Sequence, residues 1–195
     1  MVWSCLVSIL PGMAQTEKLT DYVNPFVGTD GYGNVYPGAQ IPFGGIQISP
    51  DTDSRFYDAA SGYKYNHLTL MGFSLTHLSG TGIPDLGDFL FIPGTGEMKL
   101  EPGTHEDPDQ GYRSRYSHDK EWASPNYYAV ELADYGVKAE MTSGVRSGMF
   151  RFTYPESDNA FIMIDMNHTL WQSCEWSNLR MINDSTITGY KLVKG

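Results

Sequence analysis

Apolar and polar positions alternate most clearly in the last third of the chain. Tyr128, Val130 and Leu132 alternate with Ala129, Glu131 and Ala133, which gives a strand one apolar face. Tyr135 and Gly136 turn the chain. Val137, Ala139 and Met141 then alternate with Lys138 and Glu140 as the return strand of a hairpin. A third segment spans 149–154 and is closed by Pro155. A fourth, 161–166, is nearly all apolar, which predicts burial on both faces. Segments 179–183 and 186–193 form another pair around Asp184 and Ser185. Short strands separated by turn residues predict an all-β, antiparallel β-sandwich.

The zone 24–112 patterns less clearly and is rich in Gly, Pro, Asp and Tyr. Strands are predicted over 45–49, stopped by Pro50, and over 89–92, stopped by Pro93. A third covers 68–78, with Phe73, Leu75 and His77 on one face. The long loops between them are of the kind that serve a function or cover another surface. Lys194 and Gly195 follow the last strand without a terminal cap, so the sandwich is expected to be incomplete at its C-terminus and part of a larger architecture.

Composition narrows the class. The 195 residues suit one domain, or one and a part, and can bury a core without a disulfide. A net charge of −10 repels phosphate backbones and excludes a nucleic-acid partner. With 18% charged residues, 21 Gly and 11 Pro, the chain is unlike a coiled coil, and 13% aromatic residues argue against disorder. No apolar run is long enough for a membrane span. Residues 1–14 read as a worn secretion signal. An apolar stretch precedes Gly12 and Ala14, with cleavage before Gln15, although the basic n-region is missing. This predicts an extracytoplasmic, periplasmic or secreted protein. Cys5 would be lost with the signal, leaving Cys174 as a lone thiol, expected to be a small buried hydrophobe.

Candidate chemistry sits in the loops. Gly28, Gly31 and Gly33 form a Gly-rich loop, but Pro37 and Pro42 preclude the helix that a phosphate cradle needs, so it reads as a lining for a neutral polar ligand. Asp51 and Asp53 resemble the start of a calcium loop whose remainder is absent; they read as a turn after Pro50. His77, Ser79 and Thr81, followed by Asp85 and Asp88, lack a nucleophile elbow. His77 is open to two readings, a satisfied core histidine or part of a sugar-facing loop. Neutral sugars are bound by carboxylates, amides and N–H groups over an aromatic platform. Asp30, Tyr32, Asn34, His77, Ser79, Thr81, Asp85 and Asp88 are therefore the candidate substrate-binding residues, with Tyr36 and Tyr63 as further aromatics. His67, His105, His118 and His168 lack metal-ligand spacing and read as ordinary polar residues. No catalytic or metal-binding residue is assigned.

Six blocks occur in order: Asn24-Pro25-Phe26-Val27-Gly28-Thr29, then 34–39, Pro42-Phe43-Gly44, Ser49-Pro50-Asp51-Thr52, 72–82 and Ala123-Ser124-Pro125 with Tyr127-Tyr128. From about Leu19 to the end, this series resembles the N-terminal domain of glycoside hydrolase family 92, the exo-acting α-mannosidases. The sequence departs from the family pattern at Gly45 (usually Met), Asn126 (usually Gly) and Phe150 (often His). The resemblance implies a galactose-mutarotase-like supersandwich over 19–195, followed in the whole enzyme by an (α/α)6 helical barrel. It also implies calcium-dependent, inverting hydrolysis of terminal α-mannosyl linkages of glycans, in a bacterial host. The general acid, the general base and most calcium ligands belong to the helical domain, so none is carried over. The loops 28–38 and 77–88 are implied to close the sugar pocket, and the fragment alone to be inactive. A non-catalytic carbohydrate-binding module and the remnant of a broken gene stay open as alternatives.

Overall fold

A computed structural model describes residues 17–55 and 57–194. The proposed signal peptide and Cys5 lie outside the described residues. Two four-stranded antiparallel sheets carry the fold. One has the order β1 (Ser49–Asp51), β3 (Gly72–Ser74), β4 (Leu90–Thr95), β10 (Ala160–Asp165). The other is the meander β6 (Glu121–Ser124), β7 (Tyr127–Leu132), β8 (Val137–Ser143), β9 (Gly148–Thr153). Short β2 (Thr69–Leu70) pairs with β5 (Ser114–Arg115), and β11 (Ser173–Asn183) pairs with β12 (Thr186–Lys194) as a long hairpin.

Alternation explains how the two sheets meet. Tyr128, Val130 and Leu132 of β7 and Val137, Ala139 and Met141 of β8 turn inward, with Phe150 and Phe152 of β9 beside them. They meet Ile48, Phe73 and Leu70 from the opposite layer, and Phe73 lies 6.4 and 6.3 Å from the rings of Phe150 and Phe152. Each Val, Leu, Ile, Phe or Met among them contributes about 1.5–3 kcal/mol on full burial. Glu121 is the polar keystone of this core. Its carboxylate accepts from Tyr63 (2.9 Å) and Tyr128 (2.5 Å) and lies 2.6 Å from His118 Nδ1. Burial and that carboxylate push the Tyr63 and Tyr128 phenols upward, which keeps them as donors.

The structure redraws several predicted strands. The predicted strand 68–78 is broken into β2 and β3, and His77 makes only an isolated bridge to Leu86. The segment 45–49 contributes a bridge from Ile48 to Ala39 before β1 begins at Ser49. Strand β4 runs through Pro93, because β3 pairs with it only at Phe91 and demands no N–H further along. Strand β10 is not buried on both faces: it is the end strand of its sheet, and Ile162 is 52% exposed. Strand β6 lacks the apolar alternation that marks its neighbours, yet it pairs with β7 through the two-residue turn Pro125-Asn126. Asn126 has φ +60°, a left-handed conformation that favours glycine and that asparagine tolerates better than most residues. Cys174 is half-buried rather than a core residue.

Candidate active-site face

The Asp51-Thr52-Asp53 segment is a buried hub rather than a surface turn, and it gathers four of the five histidines. Asp51 Oδ1 lies 2.8 Å from His77 Nε2, and Asp51 Oδ2 lies 2.7 Å from His168 Nε2. His77 Nδ1 contacts the Gln47 carbonyl oxygen at 2.7 Å, so both of its ring nitrogens face oxygen acceptors. Burial alone would raise the Asp51 carboxyl, but the two histidines outweigh it and hold the group well below the usual carboxylate range. Gly62 (φ +83°) leaves room for this carboxylate; a Cβ there would sit 2.0 Å from Asp51 Oδ1. One step along, Asp53 Oδ2 lies 3.1 Å from His105 Nε2, and Asp53 Oδ1 accepts from the Arg55 backbone N–H at 2.8 Å. His67 Nδ1 lies 2.9 Å from Thr52 Oγ1, and its ring centroid is 4.1 Å from that of His105. These histidines are structural partners of acidic and hydroxyl groups: His77 takes the inward one of its two readings, and His67, His105 and His168 are polar residues satisfied within the fold. Among the described residues, no three His, Cys, Asp or Glu side chains converge as a cation site.

His168 connects this hub to a cleft of 490 Å³ bordered by Arg55, Tyr112, Asp165, Asn167 and Trp171. Tyr112 donates to Asp165 Oδ2 at 2.9 Å, while Asp165 Oδ1 accepts the backbone N–H groups of Asn167 and His168. Trp171 is 56% exposed and has φ +72°, a strained conformation for a bulky residue worth roughly 1–3 kcal/mol. Its backbone N–H donates to Ser54 O, and its ring lies edge-on to Tyr57 with centroids 6.0 Å apart. Trp171 and Gln172 also border a second hollow of 540 Å³, shared with Ile83, Pro84 and Asp85. Trp171 thus stands between the cleft and the 77–88 loop.

The two predicted loops do meet. Gly80 N–H donates to Asn34 O at 2.7 Å, and Lys64 Nζ ties the Gly-rich loop down through Gly31 O at 2.6 Å. Asn34 has φ +50° and donates to Tyr32 O, while its Oδ1 is buried with no partner among the described residues. Tyr32 is 94% exposed, and Asp30 and Ser79 are exposed as well. Thr81 Oγ1 accepts from Ile83 N–H, and Asp85 borders the second hollow. His77 instead points inward to Asp51. Asp88 accepts from Thr76 and pairs with Lys191 at 3.0 Å.

The family model for the glycosyl hydrolase family 92 N-terminal domain matches residues 22–195. The chain belongs to this family. The family 92 domain is 30% identical over 139 residues to an uncharacterised secreted glycosidase of Arthroderma benhamiae, covering 70% of this chain and 17% of that protein. It superposes on the GH92-family glycosyl hydrolase ccman5 with a TM-score of 0.74 and 30% identity, over 90% of this chain and 24% of the other. A family GH92 inverting mannosidase from Bacteroides thetaiotaomicron gives a TM-score of 0.61 and 27% identity, over 77% of this chain and 20% of that one. The chain therefore spans less than a quarter of the length of these relatives. In the family 92 domain, the motif blocks 49–52 and 72–82 supply the two partners of the Asp51–His77 contact. Sequence reasoning missed Arg55, Tyr112, Asp165, His168 and Trp171. The one available signal was the polar run Asp165, Asn167, His168 directly after an apolar strand.

Proposed function

We propose that this domain forms one wall of the sugar pocket in a secreted, calcium-dependent α-mannosidase that hydrolyses terminal α-mannosyl linkages of glycans with inversion. The observation that carries this reading is the cleft beside Trp171, on a family 92 domain whose structural neighbours include an inverting mannosidase. Hydrolysis with inversion needs two carboxyl groups about 6.5–9.5 Å apart, one to protonate the leaving oxygen and one to activate water. The reading assigns both, and the calcium ligands, to polypeptide beyond this domain. Calcium when bound there would help to hold the sugar. This domain's own residues would then orient it. Trp171 offers an apolar ring face. Arg55 and Asn167 offer donors, and the Tyr112–Asp165 pair fixes an acceptor at the cleft's edge. His168 is held in place from behind by Asp51.

An assay with an aryl α-mannoside tests the reading. The 195-residue chain is expected to show no turnover above a blank preparation. The whole protein is expected to release β-mannose and to lose activity on chelation. Turnover by the domain alone, or release of α-mannose by the whole protein, would overturn it. With only one wall of the pocket present, mannose and mannobiose are expected to give no calorimetric signal that Trp171→Ala removes.

A further inference from the structure

The outer face of the β6–β9 sheet departs from what alternation requires. A solvent-facing sheet surface should be polar, yet this one carries Trp122, 46% exposed, in line with Ala129, Glu140 and Arg151 across the four strands. Ala129 is the small floor of a 400 Å³ hollow walled by Trp122, Ser124, Tyr127 and Lys138. On the other side of Tyr127 lies a 200 Å³ hollow bordered by Thr142, Met149 and Arg151. Glu140 is buried beneath these residues and organises them. It accepts from Tyr127 OH at 2.7 Å and from Arg151 Nη2 and Nε at 2.6 and 2.8 Å, with Lys138 Nζ at 3.4 Å. The Lys138 ammonium also stands 5.8 Å from the Trp122 ring centroid.

We propose that this face is a second glycan-binding surface, separate from the Trp171 cleft, which takes a neutral oligosaccharide chain stacked on Trp122 and running over Tyr127. The chemistry favours a glycan over other occupants. An exposed indole presents a flat apolar face to the C–H side of a sugar ring. Lys138 and Arg151 each keep N–H donors beyond those given to Glu140, suited to hydroxyl and ring oxygens. Glu140 already balances much of their charge, so an anion gains little. A polypeptide partner fits better on the β11–β12 hairpin, where Trp176, Leu179, Met181, Ile182 and Ile187 are exposed without such a fork of donors. The choice of an α-mannan chain as first probe rests on the proposed function. The location of the site does not.

Calorimetric titration of the 195-residue chain with α-mannotetraose, and in parallel with maltotetraose and cellotetraose, tests the proposal. At least one tetraose is expected to bind at a single site. Trp122→Ala is expected to weaken that binding at least tenfold, Trp122→Phe to restore most of it, and Trp171→Ala to leave it within twofold. Near-UV circular dichroism confirms that each variant is folded. Trp122-dependent binding of maltotetraose or cellotetraose but not of α-mannotetraose would uphold the site while counting against the mannoside reading. Binding that survives Trp122→Ala, binding that is lost in Trp171→Ala, or no binding of any tetraose by the folded chain would overturn the proposal.

Discussion

Asp51 shows how much one buried side chain can hold together. Its two oxygens clamp His77 from the same region of sequence and His168 from 117 residues away. Asp51→Ala leaves two buried imidazoles without their acceptor. It is expected to cost about 3–5 kcal/mol, read from the midpoint of urea unfolding at pH 7. The pH dependence has a definite sign. The native carboxyl is depressed, so its contribution is complete above the unfolded value of about 3.9 and is lost as pH falls toward the native value. Asp51→Asn should therefore lose less stability than the native sequence as pH falls from 4 to 2. Parallel acid limbs for the two proteins would count against the clamp. Little of this was legible in the chain. The apolar face of Phe73 and Leu75 already suggested an inward His77. Nothing local announced Asp51 as its partner, because a hydrogen bond between distant loops leaves no periodic trace in sequence.

Strands and hairpins were legible wherever one face meets core and the other meets solvent. Strands β7, β8 and β9 appear within a residue or two of their predicted bounds, since binary alternation and the turn residues agree. The 24–112 zone was harder to read because its short strands are positioned by close backbone approach rather than by pattern. Gly38 is the clearest case. A Cβ there would lie 2.0 Å from Ile48 O and 2.6 Å from Ser49 Cα, at the bridge that leads into β1. Gly38→Ala is expected to destabilise by roughly 1–3 kcal/mol in thermal or urea unfolding. Gly45→Ala, where the nearest atom is 3.6 Å away, should stay within about 0.5 kcal/mol. Lys191 makes a similar case for the terminal hairpin. Its nearly buried ammonium pairs with Asp88, donates to His168 O and stands 5.6 Å from the Phe89 ring centroid. Lys191→Met is expected to cost about 1–3 kcal/mol locally and to speed amide exchange along β12 at least several-fold, with β7 and β8 unchanged. Equal exchange along β12 in both proteins would mean the ion pair does not anchor the hairpin.

The molecule as a whole is an acidic sandwich with one apolar flank. Met181 and Ile187 are cross-strand partners on the β11–β12 hairpin and both are exposed, as are Trp176, Leu179 and Tyr190. Leu179, Met181 and Ile187 share one face of the hairpin and Trp176 and Tyr190 the other, and exposed apolar surface of that kind marks a place where other polypeptide packs. The 195-residue chain is expected to associate with rising concentration in sedimentation experiments. The double substitution Met181→Lys and Ile187→Lys should shift it toward monomer. A native chain that stays monomeric at high concentration would argue that the flank needs no cover. Fold class, strands β7 to β9 and family membership were already legible in the linear order of residues, because alternation, turn residues and motif blocks are local properties that survive without coordinates; β6, which does not alternate, was not. The choice of which loops meet at Asn34 and Gly80, the burial of Asp51 and Asp53 among histidines, and the cleft at Trp171 came only with folding. Each depends on groups far apart in the chain being brought within hydrogen-bonding reach, and that proximity is a property of packed sheets rather than of any segment.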